Sequence, residues 1–286
     1  LLINISRFIV MSRKLASISE FVVDAITYFS SARQRSKTLA RLIKGLSERS
    51  YGVIKCNKGQ LLLNKLRSPH AASAAEHFFV DEPETLKWID GFENGQTFFD
   101  IGAGVGVYSL YAALNPTLKV FSFEPNGFSF GLFLEHIRIN NLSKQISPFC
   151  LALGQKTEVE NLLFNQVSEG AGGSTFDKEF QERHKKKPVF SQSVISFSVD
   201  EFIELFKIAK PTHIKIDVDG LEPAIISGAK KTLCGVQSIM VEVELGNLDR
   251  KEERLDLPLR KLGFEESDQF KGTGSGRNRL YRKMGS

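Results

Sequence analysis

The sequence predicts an α/β fold in which helices cover both faces of a mostly parallel sheet. From residue 97 onwards, short apolar segments alternate with segments whose apolar residues recur at helical spacing. The short segments are apolar along their length, as expected for strands of a parallel sheet that is buried on both faces. With 286 residues, 42% of them hydrophobic and 25% charged, the chain suits one large domain with an appendage.

Composition excludes several classes of protein. The hydrophobic fraction argues against a disordered chain, and no run reaches the ~18 uninterrupted apolar residues of a membrane span. The three cysteines, Cys56, Cys150 and Cys234, lie far apart and show no metal-ligand spacing. We therefore expect reduced thiols, no bound metal and a cytoplasmic location.

Residues 1–80 are predicted to form a basic extension that consists of a helix and a β-hairpin. A capping box at residues 17–20 opens a stretch of helical spacing that ends near Gly45, so one long helix or two should lie here. Residues 51–63 have the pattern of two short strands around turn residues, which predicts the hairpin. Acids and a proline then open a helix at the start of the second domain, residues 81–286.

Charge is distributed unevenly between the two parts of the chain. Residues 1–68 contain thirteen Lys and Arg but three acids, a net charge of +10, whereas the whole chain has +5. A basic arm on an acidic body suggests contact with something anionic, such as peripheral contact of the helix with a membrane surface. A well-solvated basic helix face would give the same pattern, and the sequence does not separate these two interpretations.

The second domain begins its alternation of strands and helices at residue 97. The predicted strands, in chain order, are residues 97–101, 119–123, 146–153, 213–217 and 238–243. Helices are predicted at residues 108–114 and 128–140. Glycine-rich stretches at residues 170–175 and 272–276 are expected to be flexible loops.

A glycine-rich turn after the first of these strands is the sharpest local feature. Asp100 is followed by Gly102, Gly104 and Gly106, and a helix is predicted directly afterwards. Glycines let the chain turn tightly and let a ligand approach the backbone, while N–H groups at the helix start favour an anionic group. The carboxylate of Asp100 would repel a pyrophosphate, but it could accept hydrogen bonds from an ammonium group such as that of S-adenosylmethionine (SAM).

Two further carboxylates stand at the ends of predicted strands. Glu124 follows the second strand, near the ~20-residue offset at which an acid holds the hydroxyls of a ribose, in NAD as well as in SAM. Asp217 ends the fourth strand. Because ligands of open α/β sheets bind beyond the carboxyl ends of the strands, Asp100, Glu124 and Asp217 are expected to surround one site.

These features resemble the FkbM-type SAM-dependent methyltransferases, a group of mostly bacterial O-methyltransferases. The resemblance covers about residues 82–282. It is carried, in order, by residues 99–110, 123–126, 152–154, 172–175, 214–220, 228–229 and 241–243. It implies a Rossmann-like class I methyltransferase fold with a mostly parallel seven-stranded sheet, and SAM as the cofactor.

The resemblance also implies roles for the matched positions. Asp100, Gly102 and Gly104 would hold the methionine end of SAM, Glu124 would hold the ribose, and Asp217 would lie beside the sulfonium and the acceptor. The other expected cofactor contacts are Ala103, Gly106, Tyr108, Ser109, Pro125, Asn126, Leu151 and Ala152, of which Asn126, Leu151 and Ala152 would border the adenine.

A hydroxyl acceptor has to lose its proton, so a nearby base should accelerate methyl transfer by ~10²–10⁴-fold. The catalytic candidates are Asp217, Asp219 and Glu242, with Glu222 as a further carboxylate nearby. Asp217 is best placed, because it ends a central strand. Asp219 stands where the family usually has Glu, a difference of one methylene that could shift the acceptor pocket.

We therefore expect a SAM-dependent methyltransferase that acts on a hydroxyl of a small molecule or a glycan. An RNA ribose methyltransferase is one alternative, since the basic arm could follow phosphates. Nucleic acid is nevertheless not expected, because Tyr28, Phe29 and Tyr51 fit a core pattern rather than a stacking platform. A non-catalytic scaffold that binds SAM or a nucleotide is the other alternative. A nicotinamide-dependent oxidoreductase is disfavoured by Asp100 and by the glycine spacing.

Overall fold

The computed structural model describes residues 21–22, 24–25, 28, 31–176, 187–243 and 251–285. Contacts within the chain divide it into two compact units, residues 1–51 and residues 52–286. By contacts, residues 52–80 therefore belong with the sheet, whereas the sequence pattern placed the division after residue 80.

The described part of the first unit is chiefly one helix, α1 (Ala32–Glu48). It carries the basic residues Arg33, Arg35, Lys37, Arg41 and Lys44. Their contact with an anionic surface stays a prediction, and the expected capping box at residues 17–20 lies outside the described residues. No helix in the described ranges is long and apolar enough to cross a bilayer.

The core pattern assigned to the aromatic residues of this unit is wrong for Tyr28. Its side chain is 74% exposed because it lies in a turn and not on an apolar helix face. Tyr51 is half-buried, and Phe29 lies outside the described residues.

The second unit contains the predicted alternation of strands and helices. Its strands are β1 (Tyr51–Cys56, starting at the last residue of the first unit), β2 (Gly59–Asn64), β3 (Thr97–Ile101), β4 (Lys119–Phe123), β5 (Ile146–Phe149), β6 (Ala152–Gly154), β7 (Glu158–Phe164), β8 (Phe190–Ser198), β9 (His213–Ile216), β10 (Ser238–Glu242), β11 (Phe264–Glu266) and β12 (Asn278–Lys283). Its helices are α2 (Pro69–Glu76), α3 (Pro83–Asp90), α4 (Val107–Ala112), α5 (Gly127–Ile139), α6 (Val199–Phe206), α7 (Glu222–Ser227), α8 (Lys230–Leu233) and α9 (Leu257–Lys261). A π-helical turn (Glu252–Asp256) precedes α9, and a 3₁₀ turn (Asp268–Phe270) follows β11.

The central sheet has seven strands in the order β11-β12-β10-β9-β3-β4-β5. Strands β10, β9, β3, β4 and β5 run parallel, and β12 pairs antiparallel with β10 and β11. The chain builds outwards from β3 to β5 and later returns to the other side of β3 as β9. Such a reversal opens a crevice beyond the carboxyl ends of the two strands. The predicted mostly parallel, seven-stranded sheet is confirmed.

Apolar clusters cover both faces of the sheet, which explains why its parallel strands are rich in apolar residues. All five residues of β3 are buried, and successive residues of a strand point to opposite faces. Phe98 therefore packs with Trp88 of α3 and Leu110 of α4 on one face. Phe99 packs into a second cluster with Phe202 of α6 on the other face.

The hairpin of β1 and β2 packs against α5. The Leu62 amide donates to Asn140 Oδ1 at 2.7 Å, and Asn140 Nδ2 donates back to the Leu62 carbonyl at 2.8 Å. The Asn64 amide donates to His136 Nε2 at 3.0 Å. The predicted hairpin is confirmed, and these bonds explain why it belongs to the second unit.

A second sheet, of three strands in the order β6-β8-β7, was not predicted. It also corrects the single strand expected at residues 146–153. That segment forms two short strands, because β5 pairs with β4 in the central sheet whereas β6 pairs with β8.

Candidate active site

A cavity of about 380 Å³ opens at the carboxyl ends of β3, β4, β9 and β10. Its volume is typical of small-molecule sites, which occupy ~300–1,000 Å³. It lies at the reversal of strand order, where a ligand is expected. The predicted site residues on its wall are Gly102, Ala103, Gly104, Tyr108, Glu124, Pro125, Asn126, Leu151, Ala152, Asp217, Asp219 and Glu242.

Three predicted cofactor contacts, Asp100, Gly106 and Ser109, do not line this cavity. Asp100 is fully buried, and its Oδ2 accepts the Ser109 hydroxyl at 2.5 Å. Burial raises the pKa of Asp100 to about 6, although Lys215 and Ser109 act in the opposite direction. Asp100 Oδ1 has no hydrogen-bond partner among the described residues, so one acceptor oxygen remains unused beside the glycine turn.

The turn that follows β3 requires glycine at two positions. Gly102 has a φ of +83°, and a Cβ there would overlap the Asp217 carbonyl oxygen. Gly106 has a φ of +89°, and a Cβ there would overlap the Phe133 ring. The Gly102 amide donates to the Phe123 carbonyl at 2.9 Å. The turn is therefore held tightly against the ends of both neighbouring strands.

Glu124 follows β4, and its carboxylate binds two backbone amides. Oε2 accepts from Gly104 at 2.6 Å, and Oε1 accepts from Asn126 at 2.7 Å. Burial raises the pKa of Glu124 to about 7, although both amide bonds favour the ionised form. Each carboxylate oxygen has a second lone pair. The group can therefore also accept two neighbouring hydroxyl protons, such as those of a ribose.

Strand β9 carries a fully buried cation, Lys215. Its Nζ donates to Asp217 Oδ2 at 2.5 Å and lies 3.7 Å from Glu82 Oε2. It also lies 4.6 Å from the centre of the Tyr108 ring. Burial alone would lower the pKa of Lys215, but the carboxylates of Asp217 and Glu82 raise it above its usual value. Lys215 is therefore a charged ammonium group behind the cavity wall.

Asp217 and Glu242, at the ends of adjacent strands, form a hydrogen-bonded carboxyl pair. Burial and the charge of Asp217 raise the pKa of Glu242. Burial opposes the ionisation of Asp217 too, but Lys215 and the hydrogen bond from Glu242 lower the pKa of Asp217 below its usual value. The shared proton therefore resides on Glu242. Glu242 Oε1 lies 2.5 Å from Arg277 Nη1, as a carbonyl oxygen of the protonated group can.

The other two candidate bases do not join this pair. Asp219 lines the cavity with a φ of +47°, and its Oδ2 accepts from the Gly173 amide at 2.9 Å. Glu222 accepts from the Gly220 amide at 3.0 Å, and burial raises its pKa to about 7. Glu222 lies outside the cavity wall. The structure therefore places Asp217, Asp219 and Glu242 on the cavity wall, and Asp217 and Glu242 form the carboxyl pair.

Comparison with known proteins identifies the family. A family model described as the methyltransferase FkbM domain matches residues 100–266, more than half of the chain. The chain belongs to this family. The FkbM match begins at Asp100 and includes the glycine turn, Glu124, Asp217 and Glu242. The resemblance seen in the sequence is confirmed, and the sheet order is that of a Rossmann-like class I methyltransferase.

The chain is also similar to individual known proteins. The chain is 25% identical over 177 residues to the hexuronic acid methyltransferase AglP of Haloferax volcanii. This alignment covers 62% of this chain and 67% of AglP. The structure superposes on that of a SAM-dependent methyltransferase from Aquifex aeolicus with a TM-score of 0.42 at 14% sequence identity. The superposition covers 76% of this chain and 94% of the Aquifex chain. TYW2 of M. jannaschii, solved with AdoMet, has a TM-score of 0.37 at 12% identity, with coverages of 82% and 87%.

Three charged residues of the site were missed by the sequence analysis. Both Glu82 and Arg277 lie outside the FkbM match. Glu82 directly precedes helix α3, and Arg277 follows a glycine-rich loop. No sequence signal could place them beside the sheet. Lys215 could have been found, because a charge inside an apolar strand needs a buried partner.

The described residues contain no group of three or more His, Cys, Asp or Glu side chains that could hold a metal ion. The described wall of the FkbM cavity combines carboxyl groups with one cation, Arg277, and the buried cation Lys215 lies behind it. This donor set suits hydrogen bonding and proton transfer.

Proposed function

We propose that this FkbM-family protein is a SAM-dependent O-methyltransferase whose acceptor is a sugar hydroxyl, free or within a glycan. The observation that carries the proposal is the carboxyl pair of Asp217 and Glu242 on the cavity wall. Only one member of the pair is ionised, and it adjoins the glycine turn. A carboxylate in this position can receive the proton of a hydroxyl that is to be methylated, which accelerates the transfer.

The residues of the cavity fit SAM. At Gly104 an added Cβ would meet nothing within 4 Å, so a ligand can approach the backbone of the turn. Glu124 can accept the two ribose hydroxyls, and Leu151 and Ala152 supply an apolar border for the adenine. The carboxylates of Glu124 and Asp217 complement the positive sulfur. These residues would hold SAM.

When bound, SAM supplies a methyl group on a positively charged sulfur, which needs no further activation. The remaining tasks belong to the chain: to hold the acceptor in line and to take its proton. Asp217 accepts the hydroxyl proton as the new oxygen–carbon bond forms. Lys215 keeps Asp217 ionised beforehand. Glu242 already holds a proton, so it orients the Asp217 carboxylate by a hydrogen bond and does not compete for the proton of the acceptor.

The acceptor class is supported by a relative. AglP is a hexuronic acid methyltransferase, and it aligns with 62% of this chain. A hexuronic acid offers hydroxyl and carboxylate oxygens and no nitrogen or thiol nucleophile. The oxygen specificity of the proposal follows from that chemistry and from the basic Asp217 carboxylate.

To test this proposal, the full chain is incubated with SAM and a panel of methyl glycosides. S-adenosylhomocysteine release gives the rate, and NMR of the product locates the new methyl group. We expect an O-methyl product, and we expect Asp217→Asn to lower kcat by ~10²–10⁴-fold. Calorimetry should show that Asp217→Asn still binds SAM.

Three results would contradict the proposal. A folded protein that binds NADH but not SAM would be an oxidoreductase, and one that binds neither would be a scaffold. A methyl group found only on ribose 2′-oxygens of added RNA would replace the sugar acceptor by RNA.

A further inference from the structure

Arg277 is the one Lys or Arg among the described residues that line the cavity. Its side chain is 44% exposed, whereas the neighbouring cation Lys215 is fully buried and does not line the cavity. The other formally charged side chains on the described wall are acids, which are Asp81, Glu82, Glu124, Asp217, Asp219 and Glu242. Arg277 thus forms a single positive point on a mainly acidic surface.

The guanidinium group of Arg277 is only partly used by the protein. Nη1 meets Glu242 Oε1 at 2.5 Å. This contact uses one of the two terminal nitrogens of the guanidinium group. An arginine has five N–H donors, and within the described ranges the guanidinium has no further ion-pair or hydrogen-bond partner. The unused donors can bind one carboxylate through two parallel hydrogen bonds.

The backbone on both sides of Arg277 is fixed. The buried carboxylate of Glu84 accepts the Ser275 hydroxyl at 2.5 Å and Asn278 Nδ2 at 3.0 Å. A Cβ at Gly274 would overlap Glu84 Oε2, so the loop lies directly on this carboxylate. The Val243 amide donates to the Arg277 carbonyl at 3.0 Å, which ties the loop to the end of β10. Arg277 is therefore presented to the cavity by a preorganised backbone.

We propose that Arg277 binds the carboxylate of an acidic sugar, so that the acceptor is a uronic acid or its glycoside. This inference rests on the proposed function and names the acceptor class of the same site. Arg277 is the one Lys or Arg on the described cavity wall, so it is the side chain that can pair with a sugar carboxylate. Arg277 contacts Glu242, and Glu242 is paired with Asp217. A sugar whose carboxylate is bound by Arg277 therefore has its ring hydroxyls near the base, Asp217.

The test compares methyl β-D-glucuronoside with methyl β-D-glucoside, which differ at C6 by a carboxylate against a hydroxymethyl group. The wild-type protein should have the lower KM for the glucuronoside. Arg277→Met should raise that KM roughly 10- to 100-fold, the usual worth of a charge-assisted contact. KM for the glucoside should rise far less, because the glucoside has no carboxylate, and Kd for SAM is measured to separate any effect on the cofactor. Arg277→Lys, which keeps the charge but loses the two parallel bonds, should fall between.

Arg282→Met is the matched control, because Arg282 lies on β12, the strand that directly follows Arg277, but outside the described cavity wall. It should leave both KM values unchanged. Saturation-transfer NMR of the glucuronoside without SAM gives a binding readout that does not depend on turnover. Here the signal should be lost in Arg277→Met and kept in Arg282→Met.

Three outcomes would overturn the inference. If Arg277→Met weakens both glycosides equally, Arg277 acts through Glu242 and not on a sugar carboxylate. If the wild-type protein prefers the glucoside, the acceptor is neutral and the proposed function survives. If SAM binds but neither glycoside is methylated, the sugar acceptor fails together with this inference.

Discussion

Lys215 Nζ donates a hydrogen bond to Asp217 Oδ2 at 2.5 Å, although the two residues are only two positions apart. Residues i and i+2 of a strand project from the same face, so their side chains can meet at the strand end. The bond joins a fully buried cation to a carboxylate on the cavity wall. Because Lys215 contacts Asp217 directly and not Glu242, it decides which carboxyl group of the pair is ionised.

Lys215→Met is expected to move the pH dependence of methyl transfer to higher pH. Without the ammonium group, the effect of burial on Asp217 is less opposed, so the pKa of Asp217 rises and more of it is protonated at neutral pH. The acid limb of the kcat/KM profile should shift upwards by roughly one to three pH units, the usual effect of one close charge. Initial rates between pH 6 and 9 measure the shift.

Glu82→Gln is the control for that shift. Glu82 is a carboxylate 3.7 Å from Lys215, and removing a negative charge does not disfavour the ionised form of Asp217, so its loss should not raise the acid limb. Lys215→Met also breaks a buried pair, at a cost of ~3–5 kcal/mol, so thermal unfolding has to confirm that it is folded. An unchanged profile in a folded Lys215→Met would mean that Asp217 is not the titrating base.

Glu242→Gln should keep most of the activity at neutral pH. Burial and the charge of Asp217 raise the pKa of Glu242, so the wild-type group is already protonated, and a glutamine also offers one donor and one acceptor at this position. We expect a loss of kcat below about tenfold, or ~1.4 kcal/mol. Glu242→Ala leaves both Asp217 and Arg277 without this partner and should lose more. A Glu242→Gln protein as slow as Asp217→Asn would identify Glu242 as the base instead.

The sequence was sufficient to predict the parallel sheet because burial on both faces leaves a local signal. β3 and β4 match their predicted bounds, and β9 and β10 match to within one residue. The position of Asp217 followed from the same logic, since the residue after a parallel strand lies at the ligand-binding edge.

Contacts between distant segments could not be predicted in this way. Glu82 meets Lys215 across more than 130 positions, and Arg277 reaches Glu242 from a loop whose glycines indicate only flexibility. β7 and β8 were missed for a related reason. Both contain polar residues on a half-exposed face, and their pairing spans a long connection, so no short-range pattern marks them.

SAM binding should weaken as the pH falls from 8 to 6. Burial raises the pKa of Glu124 to about 7, so its carboxylate becomes protonated in this range and loses acceptor capacity for the ribose hydroxyls. Kd should rise by up to ~10-fold per pH unit below that pKa. Calorimetry at pH 6, 7 and 8 measures it. Glu124→Gln should bind SAM more weakly, and its Kd should change less between pH 7 and 8. This range lies above the pKa of about 6 of Asp100, so titration of Asp100 contributes little there. An equal slope in both proteins would assign the titration elsewhere.

Gly102→Ala is expected to destabilise the fold far more than Gly104→Ala. Both positions have a positive φ, +83° and +56°, so each alanine incurs about 1–2 kcal/mol of backbone strain. Only at Gly102 does the new methyl overlap another atom, the Asp217 carbonyl oxygen, whereas Gly104 has nothing within 4 Å. Overpacking adds ~1–3 kcal/mol, so urea unfolding should show a loss of about 2–5 kcal/mol against about 1–2. Equal losses of unfolding free energy in the two variants would mean that the backbone at the end of β9 can shift away from the new methyl group without destabilising the fold. If the loss is larger in Gly102→Ala, the new methyl group pushes against the backbone of Asp217, the proposed base. Gly102→Ala should then also lower kcat, even where SAM still binds.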